Sequence, residues 1–319
     1  MTAPKLSIVT PSYNQAPYLA KTLQSVLAQS CPDMEYFVMD GGSTDGSQAI
    51  IQASANQLTD WISENDHGQG DAINKGFSRA KGEIFGWINS DDFYLKGAFD
   101  TVLSFFEAHP QVDLVYGDVL SVDGGGRLIN VMKFEPYTLQ DLMTFQIISQ
   151  PAVFFRWSAW ERAGGMDLSY HFLLDHHLWL RIAAQGQIAY LPKALAAARF
   201  YPEAKNRAMA AEFGKEARRI ASWLLTDPQF SAASAGIEKR ISGGADWLDA
   251  NYLSNAGKPA QALKSYLKAF HNLPDRVWED RRRLLLTMLM WVSPARAQAL
   301  FDRKAAERLQ DFAAYEELL

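Results

Sequence analysis

One cysteine, Cys31, stands in 319 residues, so the chain can close no disulfide within itself. The cysteine-cluster spacings of structural zinc sites are missing as well, and Cys31 reads as a small apolar residue near a helix end. Positive charge is scarce: 31 Lys and Arg against 36 Asp and Glu leave a net charge of −5. That balance lacks the basic stripe of a nucleic-acid-binding surface, and no nucleic-acid partner is expected. No run of about 18 apolar residues occurs, so no segment is predicted to span a bilayer. The longest candidate, Leu284 to Val292, reads as a buried helix. Arg281-Arg282-Arg283 directly before it leave peripheral contact with an anionic membrane as the second reading. Met1 to Lys5 lack the charged start, apolar stretch and cleavage site of a signal peptide. A cytoplasmic protein is therefore the expectation, with peripheral attachment at the inner face of the membrane as its variant. What the chain does have is core material: at 48% hydrophobic it suits one large α/β domain with an appendage.

Apolar runs alternate with helical patterns over the first hundred residues. Leu6 to Thr10, Tyr36 to Met39, Trp61-Ile62 and Glu83 to Ile88 are predicted strands. Between them fall helices with apolar faces at Leu19, Leu23, Val26 and Leu27, through Ala49 to Ile51, and at Ala72, Ile73, Phe77 and Ala80. Such repeats imply an α/β fold with a mostly parallel central sheet, flanked by helices and joined by right-handed crossovers. Ligands bind such sheets beyond the carboxyl ends of the strands. Four polar loops, Thr10 to Asn14, Asp40 to Asp45, Glu64 to Asp71 and Asn89 to Asp92, each follow a strand and so share one edge. Later, Leu114 to Tyr116 and Val119 to Val122 read as two strands. Gly124 to Gly126 reads as a hairpin turn and Leu128 to Met132 as its return strand. Trp157 to Ala163 and Leu173 to Ala184 read as helices, and the chain is helical beyond about Phe200. There Trp247 to Ala269 resembles one tetratricopeptide-type helix pair, marked by Tyr252, Gly257, Ala262, Tyr266 and Ala269. A single such pair cannot bury its own face, so a cap on the first domain is expected. The division expected is 1–200 and 201–319.

Asp91 and Asp92 are neighbouring carboxylates at a strand end. Unpaired they would repel, and a divalent cation bound by one or two carboxylates and substrate phosphates fits there. A helix N-cap is the plainer alternative. Asp40 can accept the imide N–H of a uracil ring, or serve only as a turn residue beside Gly41 and Gly42. Asp175, near the start of an amphipathic helix, can take a proton from a hydroxyl or merely cap that helix. His176 and His177 project to different sides of the same helix and read as structural. A P-loop is excluded because Ser47 stands where lysine is required, and a dinucleotide fingerprint because Ile73 takes the third glycine position.

Four stretches taken together, Ser7 to Asn14 (SIVTPSYN), Asp40 to Gly46 (DGGSTDG), Asn89 to Asp92 (NSDD) and Asp175 to Arg181 (DHHLWLR), resemble the ordered motifs of family 2 glycosyltransferases. The resemblance covers roughly residues 5 to 200 and implies the GT-A fold, a Rossmann-like sheet here followed by a helical C-terminal extension. It implies a nucleotide-sugar donor, with UDP preferred, held by Thr10, Pro11, Ser12, Tyr13, Asp40 and Asp66, with Asp40 on the base. Asn89-Ser90-Asp91 fills the family's Asp-x-Asp position, making Asp91 the ligand of Mn²⁺ or Mg²⁺. Asp175 matches the general base of inverting members. Ser149 to Phe155 would lie near the donor sugar or acceptor. Two positions depart from the pattern: Asn89 replaces the first aspartate, and Leu174 stands where many relatives carry glutamate. The Gln-x-x-Arg-Trp signature and membrane helices of processive synthases are absent, which favours one sugar per encounter. The implied acceptor is a glycan or a lipid-linked sugar in cell-envelope or extracellular polysaccharide assembly. Two other classes compete. A sugar-nucleotide nucleotidyltransferase would need a glycine-rich basic loop after the first strand, which Thr10 to Asn14 is not. A catalytically silent scaffold would have no use for both Asp91 and Asp175.

Overall fold

The computed structural model describes residues 4–201 and 205–319. Its first strands and helices alternate as β1 (Leu6–Ser12), α1 (Ala16–Leu27), β2 (Met34–Asp40), α2 (Ser47–Ser54), β3 (Asp60–Ser63), α3 (Gln69–Phe77) and β4 (Ile84–Trp87). These strands lie in the order β3-β2-β1-β4, all parallel. All seven residues of β1 are buried, as a strand covered on both faces requires. On α1 the buried face is Leu19, Thr22, Leu23 and Val26. Helix α3 lies close against β1, because a Cβ on Gly76 would stand 2.6 Å from Val9 Cγ1.

Beyond β4 the sheet becomes mixed. Next come β5 (Phe93–Tyr94), α4 (Ala98–Ala108), β6 (Val112–Val122), β7 (Leu128–Met132), α5 (Leu139–Met143), β8 (Val153–Arg156), α6 (Trp157–Ala163), α7 (Leu174–Ala183) and β9 (Gln187–Arg199). The order continues from β4 through β8, β6 and β9 to β5, with β7 hairpinned on β6. Strands β6 and β9 run with β1 to β4; β5, β7 and β8 run against them. Two expectations are corrected here. Leu114 to Tyr116 and Val119 to Val122 are one strand; between the two its register against β9 shifts across Gly117-Asp118-Val119, where a Cβ on Gly117 would stand 2.6 Å from the Lys193 carbonyl oxygen. Gln187 to Arg199, assigned no strand from sequence, is the longest strand of this sheet.

The chain forms two compact units. The first gathers the residues up to Pro136 with Ile148–Arg199 and Ala314–Leu319; the second holds Tyr137–Ile147 and Phe200–Ala313. The division expected at residue 200 is thus crossed early, since Tyr137–Ile147 belongs with the helices. Thr138 and Asp141 close a capping box on α5, and the Thr144 carbonyl accepts from the Arg276 guanidinium and lies against Gly244. The helices that follow are α8 (Lys205–Ala208), α9 (Ala210–Thr226), α10 (Ser231–Ser234), α11 (Glu238–Asn255), α12 (Pro259–Asn272), α13 (Pro274–Glu279), α14 (Arg281–Val292), α15 (Pro294–Asp311) and α16 (Ala313–Glu316).

Helices α11 and α12 form the helix pair, turning at Gly257 with φ +70°. Tyr266, Ala269, Ala250 and Val277 make its small core, with Trp247 and Leu284 packed against it. Helix α9 crosses α11 tightly: a Cβ on Gly214 would stand 1.7 Å from Asp249 Oδ1. Asp249 is buried and accepts from Ser265 Oγ (2.6 Å) and the Arg218 guanidinium (3.0 Å). Gly214→Ala should therefore force the crossing apart and destabilise the helical unit by about 1–3 kcal/mol, measured by chemical denaturation.

Helix α14 is not buried as expected. Thr287 is its one buried residue, whereas Leu285, Met288, Trp291 and Val292 are exposed. An apolar run marks a helix that prefers cover without showing that this chain supplies it. No described helix is long and apolar enough to cross a membrane.

Candidate functional site

Sheet register assembles the site. Ser12, Asp40 and Ser63 occupy one row across β1, β2 and β3. The ladder continues past them, with Gly41 N–H donating to Ser12 O (2.8 Å) and Glu64 N–H to Asp40 O (3.0 Å). All four polar loops therefore open on the carboxyl edge, as the strand pattern predicts.

The first two loops are zipped together. Asn14, in the left-handed region at φ 51°, accepts from Thr44 N–H at 2.9 Å, and its own N–H donates to Ser43 Oγ at 2.8 Å. Asp45 accepts from Ala16 N–H (2.8 Å) and Ser47 Oγ (2.6 Å). Burial works against the Asp45 carboxylate, but the bonds from Ser47 and Ala16 outweigh it and hold its pKa below the ordinary range. Asn14→Ala should cost about 1–2 kcal/mol in a melt, since alanine tolerates that backbone poorly and the bond to Thr44 is lost.

Several residues expected at the ligand face inward. Thr10 is fully buried, with Oγ1 at 2.9 Å from the Tyr36 hydroxyl. Pro11 and Ser12 are also buried, so Tyr13, 63% exposed, is the side chain this segment offers to solvent. Asp40 is 2% exposed and accepts from Ser43 N–H (2.9 Å), Ser43 Oγ (2.5 Å) and Ser63 Oγ (2.6 Å). Its carboxylate braces the second and third loops. Asp66 is half-buried; Oδ1 accepts from Gly68 N–H at 2.8 Å, and Oδ2 stands 2.8 Å from where a Cβ on Gly41 would lie. A water-sized cavity of about 10 Å³ is lined by Asp40, Glu64, Asp66 and Lys75 among others. It lies beside the Lys75–Glu64 ion pair, 2.9 Å apart. Ser12 Oγ is buried and, among the described residues, meets no hydrogen-bond partner.

The fourth loop is held from three sides. Thr22 Oγ1 reaches the carbonyl oxygens of Ser90 (3.0 Å) and Asp92 (2.7 Å), and Gln69 Nε2 donates to Asn89 Oδ1 at 2.7 Å. Ser90 is buried, and Asp91 is half-exposed beside a buried Asp92. Burial first, and then the Asp91 charge, push the Asp92 carboxyl well above the usual range. Arg199, at the end of β9, answers this charge. Its N–H donates to Asp92 Oδ1 at 2.9 Å, and its guanidinium donates to the Asp91 carbonyl. The guanidinium is stacked between Tyr18 and Phe93, at 5.0 Å from each ring centroid. Sequence reading missed this arginine because it missed the strand that carries it. An arginine closing a buried strand on the loop edge was the available signal.

Asp175 lies in the first turn of α7 and accepts from His176 N–H at 2.8 Å. One turn on, Trp179 stacks on Trp87 at 5.2 Å, which anchors α7 to the end of β4, two residues before Asn89. Gln150 grips the same strand end, with Nε2 donating to the Trp87 carbonyl at 2.7 Å, while its buried Oε1 finds no partner among the described residues. His176 and His177 are buried, the latter against Tyr170 at 4.1 Å between ring centroids. No group of three or more His, Cys, Asp or Glu among the described residues converges as a metal cage.

Comparison with known proteins finds the family model "Glycosyl transferase family 2" over residues 7–159. A PGL/p-HBAD biosynthesis glycosyltransferase of Mycobacterium tuberculosis is 32% identical over 179 residues, 55% of this chain and 68% of that protein. Among solved structures, Staphylococcus aureus TarS 1-349 superposes with a TM-score of 0.60 at 19% identity, over 96% of this chain and 91% of that one. It has also been solved with UDP-GlcNAc. The mannosyltransferase PcManGT of Pyrobaculum calidifontis, solved with GDP-Man and Mn²⁺, gives 0.61 at 18% identity, over 98% and 88%. These structural likenesses carry the fold, which is GT-A.

Proposed function

Because the chain belongs to the family 2 glycosyltransferases, we propose that it moves a single sugar from a UDP-sugar to a hydroxyl of a glycan or lipid-linked acceptor, with inversion, in cell-envelope polysaccharide assembly. The observation that carries this reading is the Asp91-Asp92 pair, set on one sheet edge with three further polar loops and steadied by Arg199. The nucleoside would lie over Gly41 and Gly42, with Tyr13 exposed beside it. Since the oxygens of Asp40 are engaged by Ser43 and Ser63, the imide contact falls to Asp66, and Asp40 holds the loop that presents it. Ser12 Oγ is open to a further donor bond.

The residues fit a divalent ion bound through a protein carboxylate and completed by donor phosphate oxygens: Asp91 is half-exposed at the sheet edge, and its charge adds to burial in raising the Asp92 pKa. Mn²⁺ or Mg²⁺ held by Asp91 would offset charge on the departing diphosphate. Asp175 takes the acceptor hydroxyl proton as the acceptor oxygen bonds the anomeric carbon. The bond from that carbon to the diphosphate oxygen breaks on the opposite face, and UDP leaves with the electron pair.

Purified protein with Mn²⁺ should be stabilised by UDP-sugars over GDP- and dTDP-sugars in a thermal-shift panel, and should release UDP from the matching donor. Pyrophosphate release from a nucleoside triphosphate and a sugar phosphate would instead establish a nucleotidyltransferase. Gly41→Ala tests the Asp66 assignment. The new methyl displaces a carboxylate rather than backbone, so the melt should move by less than about 1 kcal/mol while donor affinity falls about tenfold.

A further inference from the structure

We propose that α14, with the end of α13, is a docking surface for an anionic lipid bilayer. The helix sits on its own unit through Leu284 and the buried Thr287, whose Oγ1 lies 2.7 Å from Ser254 Oγ. On the side away from Thr287, helical spacing gathers Arg281, Arg282, Leu285, Met288 and Val292. Leu285 is 62% exposed and Val292 78%, so these side chains stand out from the surface rather than line a recess. Tryptophans mark both ends: Trp278, 66% exposed with the Arg281 guanidinium 5.9 Å from its ring centroid, and Trp291, 63% exposed. From Arg281 to Phe301 the sequence carries four arginines and no acidic residue; the exposed Glu279 and the half-buried Asp280, 3.9 Å from the Arg283 guanidinium, come just before it.

Protruding aliphatic side chains, tryptophans at the margins and the arginine cluster at the start of α14 match the layers of an anionic leaflet: acyl chains, interface and phosphate headgroups. A protein partner would be expected to meet such apices with pockets, and would give no reason for the acid-free arginine run. The inference stands apart from the transferase reading, because it uses no residue of the proposed donor or acceptor site.

The test is flotation of the full chain with phosphatidylcholine vesicles, with and without phosphatidylglycerol. The protein should float with the anionic vesicles and be released by high salt. Arg281→Glu with Arg282→Glu should lower the partition about tenfold or more. Leu285→Gln with Val292→Gln should lower it similarly; all four positions are exposed, so the fold is kept. Trp291→Phe should remove part of the quenching by brominated lipid. No partition of the wild type, or equal partition by every variant, would overturn the proposal. So would a dimer in sedimentation velocity that Leu285→Gln with Val292→Gln dissolves, with no vesicle binding. Lipid-free donor hydrolysis, run in parallel on each variant, should be unchanged and reports separately on the transferase reading.

Discussion

Asp175→Asn should lower kcat by about 100- to 10,000-fold while leaving donor binding intact. Asparagine keeps the side-chain oxygen that accepts from His176 N–H, so the first turn of α7 retains its bond. It loses the carboxylate charge at that helix start, worth up to about 1 kcal/mol of stability. The stacking of Trp179 on Trp87, which positions the turn, is untouched. The loss would therefore be chemical rather than structural, and the pH profile shows it: the acidic limb of kcat/KM in the wild type should vanish in the variant. A variant that keeps wild-type turnover would remove Asp175 from the mechanism.

Asp91→Ala should have the opposite signature. Donor binding in the presence of Mn²⁺ fails, and kcat/KM falls by about 100-fold or more, because the proposed metal ligand is gone. Thermal shift reads the loss: no rise in melting temperature with UDP-sugar and Mn²⁺, where the wild type rises. A lowered melting temperature with donor binding retained would make Asp91 a structural residue.

Much of this was legible in the sequence because β1, β2 and β4 are apolar runs that stop at polar residues, and a parallel sheet gathers such ends on one edge. Side-chain direction was not. Thr10 and Asp40 sit at that edge yet turn to Tyr36, Ser43 and Ser63, since polar groups in a doubly covered sheet bond to neighbours when they can. Strand β9 was hidden by its composition: Ala194, Ala196, Ala197 and Ala198 favour a helix by propensity, and only pairing with β6 and β5 makes them a strand. With β9 went Arg199. The exposure of α14 was equally unreadable, because an apolar run looks the same whether covered or bare.

The early excursion Tyr137–Ile147 sets the order in which the molecule can fold. Leu142, Met143 and Phe145 are fully buried in the finished chain, but Gly244 and Arg276, which lie against this segment, are about a hundred residues or more further on. During synthesis the sheet unit can close around β8 and β9 well before those partners leave the ribosome. Until then Phe145 lacks the Gly244 backbone it lies against, and a chain stopped after Arg199 never supplies it. Such a truncation should aggregate even though every strand is present, and the helices behind it complete the surface of a loop made long before them.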